Sequence, residues 1–556
     1  MYRYKDRAPL DTVASVKRIL EKARISVSET WFDSNIDNTY SLRITIANTD
    51  YGTNGKGATK ELALASAYGE LIERLGNGII FKNGERKQTL DSGFIFMPDE
   101  IILTEEFFKN CTKGKIVKSI LKPFRSRLDL ALANWRKIDG ESIGIPFHNE
   151  VSAEKEYVPH RMLAAFGSNG MAAGNSKSEA FVQAVSEIFE RYCLQTVIRQ
   201  KLTPPTICRE YIKNRYPTIE EMLLSIERNS NLTVNLKYCG MDTGFPVIAV
   251  CLYDKAKHTD MISFGAHPVE EIAMERAITE LFQGKNTDDI CNLITERKRD
   301  MRYNILSVLK NGIGYFPREF HITNPQERYE GQTIAFSSNE DMKHYVLELC
   351  KRGKLDVYSR YIKIGDIYVV HVIIPGMSEI YQYDGFEFQC IEMKERIKLM
   401  LNGEFDNAPQ TFQACLEFLD FSRKTPELDA NLSKNFYIEN DDAKQIGLLS
   451  LLVAGFYRLN MFDRALHYVE LLKKYLPLDV CVCIQTIVEL QKEDCGANTE
   501  YLKLYFNNST ISEAQRRLDF GAIAAEMKNS NKEDNRYTSE SWLDSVRRFK
   551  EMIELV

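Results

Sequence analysis

The sequence predicts an α+β region of mixed sheets and acidic helices over residues 1–402, followed by an all-α, tetratricopeptide-like segment over 403–556. Three observations lead there. Strand-type alternation and helix-type stripes interleave along the first 400 or so residues, a pattern an α/β arrangement would share. From about Gly403 the composition changes, and after Asp442 the periodicity is helical alone. The 556 residues also exceed the roughly 250–300 at which single cores stop growing.

Taken in order, Phe32 to Asn48 holds the alternation Leu42, Ile44, Ile46 of a half-buried strand. A glycine-rich turn (Gly52, Gly55, Gly57) then leads into a helix from about Thr59 to Leu75. Further strands are expected at Tyr157–Phe166, Phe245–Leu252, Asp260–Gly265 and Ile367–Ile374, with helices at Lys177–Arg199 and Val269–Gly284. In the tail, Ala454-Gly-Phe-Tyr, Arg464-Ala-Leu, Val469, Leu472 and Pro477 sit at the offsets of a tetratricopeptide repeat, where small residues let two helices pack closely and proline ends the second. A plain helical bundle fits the same residues.

Composition narrows the class. The fractions, 44% hydrophobic and 27% charged, are those of an ordinary globular protein. Met1-Tyr-Arg-Tyr-Lys-Asp-Arg lacks the apolar core of a secretory signal, and the longest apolar stretch, Ile446 to Tyr457, falls short of the ~18 residues a bilayer needs. A cytoplasmic protein is expected. The twelve cysteines form no C-x-x-C pair and the eight histidines no H-E-x-x-H, which argues against a zinc site. A net charge of −6 argues against wholesale nucleic-acid binding. One basic run, Lys113 to Arg127, would suit RNA or an acidic partner, although such runs usually form a solvated face.

The strongest signal is an internal repeat. Gly57-Ala-Thr-Lys-Glu-Leu-Ala-Leu-Ala-Ser-Ala-Tyr-Gly-Glu-Leu-Ile-Glu-Arg aligns without gaps on Gly174-Asn-Ser-Lys-Ser-Glu-Ala-Phe-Val-Gln-Ala-Val-Ser-Glu-Ile-Phe-Glu-Arg. On a helix, residues three and four apart share a face, so Ser66, Glu70, Glu73 and Arg74 form one stripe. Glu179, Gln183, Glu187, Glu190 and Arg191 form another. A third segment supplies Arg276, Glu280 and Gln283 at similar spacing. Carboxylates at this spacing repel one another, and a hard divalent cation such as Mg²⁺ reverses that cost, with arginines meeting phosphate charge. Stripes of this kind also decorate solvated helix faces, but the same helices carry broad apolar faces beside the acids.

No G-x-x-x-x-G-K-[ST] run exists, because Gly55-Lys56 is followed by Gly57, and there is no H-R-D or D-F-G. The turn Gly167-Ser-Asn-Gly170, with Gly174 after it, could form a phosphate nest.

Several motifs together resemble the YcaO family. They are Thr53-Asn-Gly-Lys-Gly-Ala-Thr-Lys, the Ser66-x-x-x-Glu-x-x-Glu-Arg helix, Ser168-Asn-Gly-Met-x-Ala-Gly-Asn, Ser186-Glu-x-x-Glu-Arg, Ser263-Phe-Gly-Ala-His-Pro, Glu275-Arg and Ile374-Pro-Gly-Met-Ser. The resemblance runs from Lys5 to about Tyr381 and is strongest to the stand-alone bacterial type. It implies the YcaO fold and a Mg²⁺–ATP site between acidic helices. On this sequence the implied metal ligands are Glu70, Glu73, Glu187 and Glu190. The implied ATP contacts are Lys5, Thr12, Ala172, Asn175, Glu179, Arg191, Arg276 and Gln283, with Thr12 and Ala172 standing where the relatives have serine.

The family's chemistry implies activation of a peptide amide by phosphorylation of its oxygen. Azoline or thioamide formation is one outcome, and a non-catalytic, ATP-binding docking protein is a further alternative. Azoline-forming members carry a proline-rich C-terminus, a pattern absent from the stretch Phe549-Lys-Glu-Met-Ile-Glu-Leu-Val. The stand-alone type is linked to β-methylthiolation of a small-subunit ribosomal protein by a radical methylthiotransferase, and it is a homodimer. By this resemblance, a chain cut after Asn402 is expected to keep nucleotide binding and lose self-association.

Overall fold

The computed structural model describes residues 4–33, 36–49, 51–79, 97–110, 113–122, 143–229, 232–254, 259–285, 304–305, 307–309, 314–322, 329, 331, 334–380, 393, 396–405, 407–424, 441–496, 499–529 and 540–556. The chain forms two compact units, Met1–Tyr383 together with Arg536–Val556, and Asp384–Asn535. The division therefore lies ahead of the 402/403 position read from composition, and the chain's last residues rejoin the first unit. Composition registers that a stretch is helical but not which core its apolar face enters.

The first unit opens with helix α1 (Pro9–Lys22) and an antiparallel sheet of β1 (Val27–Phe32), β2 (Tyr40–Ile46) and β3 (Gly52–Gly57), in that order. Leu42, Ile44 and Ile46 turn inward, as their alternation predicts. The expected glycine turn at 52–57 is instead the strand β3. Its glycines serve contact, because a Cβ on Gly55 would lie 2.2 Å from Ala63 O and one on Gly57 2.6 Å from Ala63 N. The strand is thus laid flush on helix α2 (Lys60–Gly76), whose N-cap Thr59 accepts a hydrogen bond from Leu62 N–H.

The central sheet has seven strands. Its path runs β4 (Ile101–Ile102), β5 (Ile143–Asn149), β11 (Tyr358–Ile364), β12 (Ile367–Ile373), β7 (Met171–Gly174). Strand β6 (Lys155–Pro159) pairs with β5, and β13 (Ile553–Leu555) pairs with β11. The strand expected over Tyr157–Phe166 stops at Pro159, which has no N–H for the ladder, and a 3-10 turn follows over His160–Ala165. Helix α3 (Lys177–Gln200), capped by Ser176, covers this sheet.

A third sheet, ordered β10-β9-β8, comprises β8 (Leu232–Tyr238), β9 (Val247–Asp254) and β10 (Thr259–Ala266), with α4 (Pro217–Asn229) and α5 (Glu270–Leu281) packed on it. Helix α6 (Asn339–Arg352) packs on α3.

Geometry reveals that the repeat is threefold. Thr53 Oγ1 donates to Ala67 O at 3.1 Å and Ser263 Oγ to Ala277 O at 2.6 Å, the same 14-residue span. A Cβ on Gly55 would meet Ala67 N at 2.4 Å and one on Gly265 would meet Ala277 N at 2.2 Å. Gly174 abuts Ala180 N at 2.6 Å, as Gly57 abuts Ala63 N. Residues 57–74, 174–191 and 267–284 are therefore three copies of one strand-to-helix device, carried by α2, α3 and α5.

The second unit comprises α7 (Pro409–Arg423), α8 (Asp441–Arg458), α9 (Phe462–Leu472), α10 (Leu478–Lys492), α11 (Asn508–Leu518) and α12 (Phe520–Asn529), around a core of its own. Ala454 and Ala465 are fully buried, and Gly455 lies where a Cβ would come within 2.6 Å of Leu416 Cδ2, so small residues do permit close helix packing. Pro477 stands at the N-cap of α10, five residues after α9 has ended at Leu472.

The tail after Asp442 is not helical throughout. Helix α13 (Glu540–Glu551) buries Trp542, Val546 and Phe549 in the same core as Leu20, Leu71, Ile362 and Val369, and β13 then pairs along β11. A cut after Asn402 therefore removes part of the first unit's core. Among the described residues no helix is long and apolar enough to cross a membrane.

Candidate functional site

Helices α2, α3 and α5, with β3, β7 and the N-terminal segment, enclose a cavity of about 340 Å³. Each copy of the device contributes its tenth, fourteenth and seventeenth residues: Ser66, Glu70 and Glu73; Gln183, Glu187 and Glu190; Arg276, Glu280 and Gln283. These offsets of four and three residues keep the first two trios, and Arg276 with Glu280, on one helix face, and Gln283 follows in the turn just past α5. Seven carboxylates and six basic side chains line the wall, counting Glu70, Glu73, Glu179, Glu187, Glu190, Glu275 and Glu280 against Lys5, Arg7, Lys56, Arg74, Arg191 and Arg276.

All four expected metal ligands are brought together here, as are Lys5, Thr12, Asn175, Glu179, Arg191, Arg276 and Gln283. Ala172 is not. Alternation along β7 turns Ala172 into the core beneath α3 and leaves Ala173 on the cavity wall. The Gly167–Gly170 turn also lies off the cavity. It is tied instead to the end of β12 and the turn after it, with Val372 N–H donating to Gly170 O at 2.7 Å and Asn169 Nδ2 to Ser378 O at 2.8 Å. Of the basic run, Arg125 and Arg127 lie outside the described residues, and Lys115 pairs with Asp356 at 2.7 Å.

One end of the cavity is a hydrogen-bonded chain. Thr12 Oγ1 donates to Asn175 Oδ1 (3.0 Å), Asn175 Nδ2 donates to Glu179 (3.1 Å), and Lys5 Nζ lies 3.3 Å from Glu179 Oε1. Glu179 thus orients its neighbours and is itself buried. At the other end, Arg74 pairs with Glu70 and Glu73, each at 3.1 Å, and Arg191 pairs with Glu187 at 2.8 Å. Arg276 donates to Ala266 O (2.9 Å) and to Gln183 Oε1, and Gln283 Nε2 donates to Asn54 O (3.0 Å).

The electrostatics are strained in one direction. Burial pushes the Glu73 carboxyl well above its ordinary range, Glu187 and Glu70 add to the rise, and Arg74 only partly opposes it. Burial likewise raises Glu190 to about 7, although Lys56 and Arg191 pull it back. Glu190 lines the cavity and is half-buried. His267 stays neutral, held well below its usual value by burial and by the charges of Arg276 and Lys5. Its Nδ1 accepts the Val269 N–H at 3.0 Å, which leaves the proton on Nε2.

These shifts set a pH dependence. A carboxyl whose pKa is raised on folding contributes stability that is present below its ordinary value of 4.5 and is lost as the pH rises through about 7. In the presence of a chelator, the thermal midpoint is therefore expected to fall between pH 5 and 7.5. Glu190→Gln should flatten that slope, as measured by calorimetry across the range. Lys56 stays largely protonated over most of this window, since burial lowers it only to about 8.

Among the described residues no three His, Cys, Asp or Glu side chains are gathered around one point, and Glu70 and Glu187 are each paired with an arginine. Even so, the donor set fits a hard cation with its phosphate. Glu73 Oε1 and Arg74 Nη1 are buried and lie 3.1 Å apart, yet neither makes a hydrogen bond, and Arg191 Nε is also without one. A buried carboxylate oxygen and two guanidinium N–H groups left without hydrogen bonds are the complements of a divalent ion and of phosphate oxygens.

An α+β fold with a cation-and-anion cavity between three repeated acidic helices defines the class. The chain belongs to the YcaO family, whose model, described as YcaO cyclodehydratase, ATP- and Mg²⁺-binding, matches residues 54–378. ATP and Mg²⁺ are the cofactors of that family. The chain is 29% identical over 406 residues to the ribosomal protein S12 methylthiotransferase accessory factor YcaO of Escherichia coli, covering 68% of this chain and 66% of that protein. It is 27% identical over 435 residues to an uncharacterised protein of Haemophilus influenzae, covering 75% and 73%. A solved YcaO from Methanopyrus kandleri, bound with AMPPCP and Mg²⁺, is similar at 19% identity and a TM-score of 0.47, covering 68% of this chain and 93% of that one.

Sequence reasoning passed over two residues on the cavity wall. Lys56 stands in the Thr53–Lys60 motif and in a failed phosphate-loop pattern, in both without a role of its own, although a lysine between two strand glycines is the one side chain of Gly55–Gly57 able to face away from α2. His267 appeared within a motif but without a role, since nothing in its spacing marks the Val269 N–H that sets its tautomer.

Proposed function

We propose that this chain is a Mg²⁺–ATP-dependent protein that activates peptide backbone amides by phosphorylation, of the stand-alone type that serves β-methylthiolation of a ribosomal protein. The observation that carries this reading is the convergence of Glu70, Glu73, Glu187 and Glu190 with Arg74, Arg191 and Arg276 on one enclosed cavity. When bound, Mg²⁺–ATP supplies the phosphoryl group that converts an amide oxygen, a very poor leaving group, into phosphate.

The chain's residues do the rest by placement. Glu70, Glu73, Glu187 and Glu190 would hold the cation, and Arg191 and Arg276 would offset charge gathering on phosphate oxygens in a site poorly reached by water. Lys5, Thr12, Asn175, Glu179 and Gln283 would seat the remainder of the nucleotide. Direct binding of Mg²⁺–ATP by titration calorimetry tests the site. Release of phosphate that depends on an added peptide or ribosomal protein tests the activation, and the absence of both would remove the reading.

The name of the Escherichia coli relative, an accessory factor, favours a second reading in which nucleotide binding serves docking to a methylthiotransferase. Nucleotide binding without substrate-dependent phosphate release, together with capture of that partner, would select it. The helical unit 384–535 is assigned the protein contacts, with a second copy of this chain as the expected occupant. A monomer by light scattering would remove that assignment.

A further inference from the structure

The three copies of the strand-to-helix device differ in how their fourteenth residue, a glutamate in every case, obtains its counter-ion. In the first two copies an arginine one turn later on the same helix supplies it: Arg74 to Glu70 at 3.1 Å and Arg191 to Glu187 at 2.8 Å. In the third copy that place is Gly284, which adopts φ +70° beyond the end of α5 and donates its N–H to Ser41 Oγ at 2.8 Å. The cation of Glu280 comes from a different strand, as Lys56 Nζ of β3.

The route of Lys56 into the cavity follows from its neighbours. Gly55 and Gly57 leave no room for a Cβ against α2, so strand alternation turns Asn54 and Lys56 to the opposite side. There the ammonium feels the attraction of Glu190, Glu70 and Glu187 and the repulsion of Arg276. A cation entering among those carboxylates would compete with it directly. Unlike a guanidinium held on the helix of its own partner, an ammonium on a flexible four-carbon stem can leave one anion for another.

We infer that Lys56 is a phosphate-binding residue, the third copy's counterpart of Arg74 and Arg191, which exchanges Glu280 for phosphate oxygens when nucleotide enters. The inference rests on the nucleotide reading above. Its test separates a phosphate contact from a merely structural ion pair, because Lys56→Met and Glu280→Gln break the same pair but only the first removes the ammonium.

The test titrates Mg²⁺–ATP into the full-length wild type and both variants by calorimetry, with thermal midpoints recorded without ligand. Lys56→Met is expected to lose about tenfold or more in affinity, the size of one charge-assisted hydrogen bond. Glu280→Gln is expected to bind more tightly than wild type, because its ammonium no longer has a competing anion. Equal losses in the two variants, or an unchanged Lys56→Met, would overturn the inference. Should Lys56→Met fail to fold, Glu280→Gln decides alone: a gain supports the phosphate contact and a loss overturns it. A wild type that does not bind Mg²⁺–ATP would instead overturn the nucleotide reading itself, an outcome visible before any variant is made.

Discussion

Glu73→Gln and Glu190→Gln are each expected to abolish Mg²⁺–ATP binding while leaving the unliganded protein at least as heat-stable as wild type. Both carboxyls are enclosed among other carboxyls, and burial holds both above their ordinary range. A neutral amide of the same shape therefore relieves a cost in the empty site and withdraws a charge from the filled one. Loss of a residue that merely orients a metal ligand costs roughly 10–100-fold in affinity, so loss of a ligand should reach at least the upper end of that range. Titration calorimetry and thermal unfolding on the same preparations check the two halves. Retained nucleotide affinity in both variants would place the cation elsewhere.

The second large effect concerns residues far from the cavity in sequence. Phe549→Ala is expected to destabilise the first unit by about 3–5 kcal/mol, the usual cost of deleting a fully buried phenylalanine ring. Its ring lies in the core that also holds Leu71 of α2 and Val369 of β12. Removal of residues 536–556 should do more, because it also uncovers the stretch of β11 that pairs with β13, Ile362 to Ile364. Denaturant unfolding followed by near-ultraviolet signal would detect both. A truncated protein that unfolds at the wild-type midpoint would show that the C-terminal helix is dispensable.

The parts of this molecule that could be read from sequence are those with a local signature. Helices α2 and α3 announce themselves through their caps, Thr59 and Ser176, and through a motif present in two gapless copies. The pairing of Leu42, Ile44 and Ile46 on one face is equally local. What escaped was set by distant contact. The glycines of β3 look like a turn until α2 is seen lying against them, and the third segment shows only the spacing of Arg276, Glu280 and Gln283, not that it is a full copy, because histidine, glutamine and glycine replace the diagnostic glycine, glutamate and arginine at 267, 283 and 284. Likewise the alternation that sends Ala172 into the core and Ala173 to the cavity depends on the register of β7 with β12, which pairs Ala172 with Val370 and Ala173 with Val369. No pattern within four residues could reveal it.

The return of residues 536–556 to the first unit also bears on how the protein is made. The helical unit, 384–535, interrupts a fold whose last structural members are translated after it. At roughly 5–20 residues per second, the ribosome needs on the order of 10–30 seconds to pass from residue 384 to the C-terminal strand. During that interval the sheet containing β11 has an open edge and the core beside α1 lacks the ring of Phe549. The nucleotide-binding half must therefore wait, incompletely closed, while the inserted helices emerge and can already pack on themselves. Slowing or stalling within 384–535 would prolong the lifetime of that unfinished half.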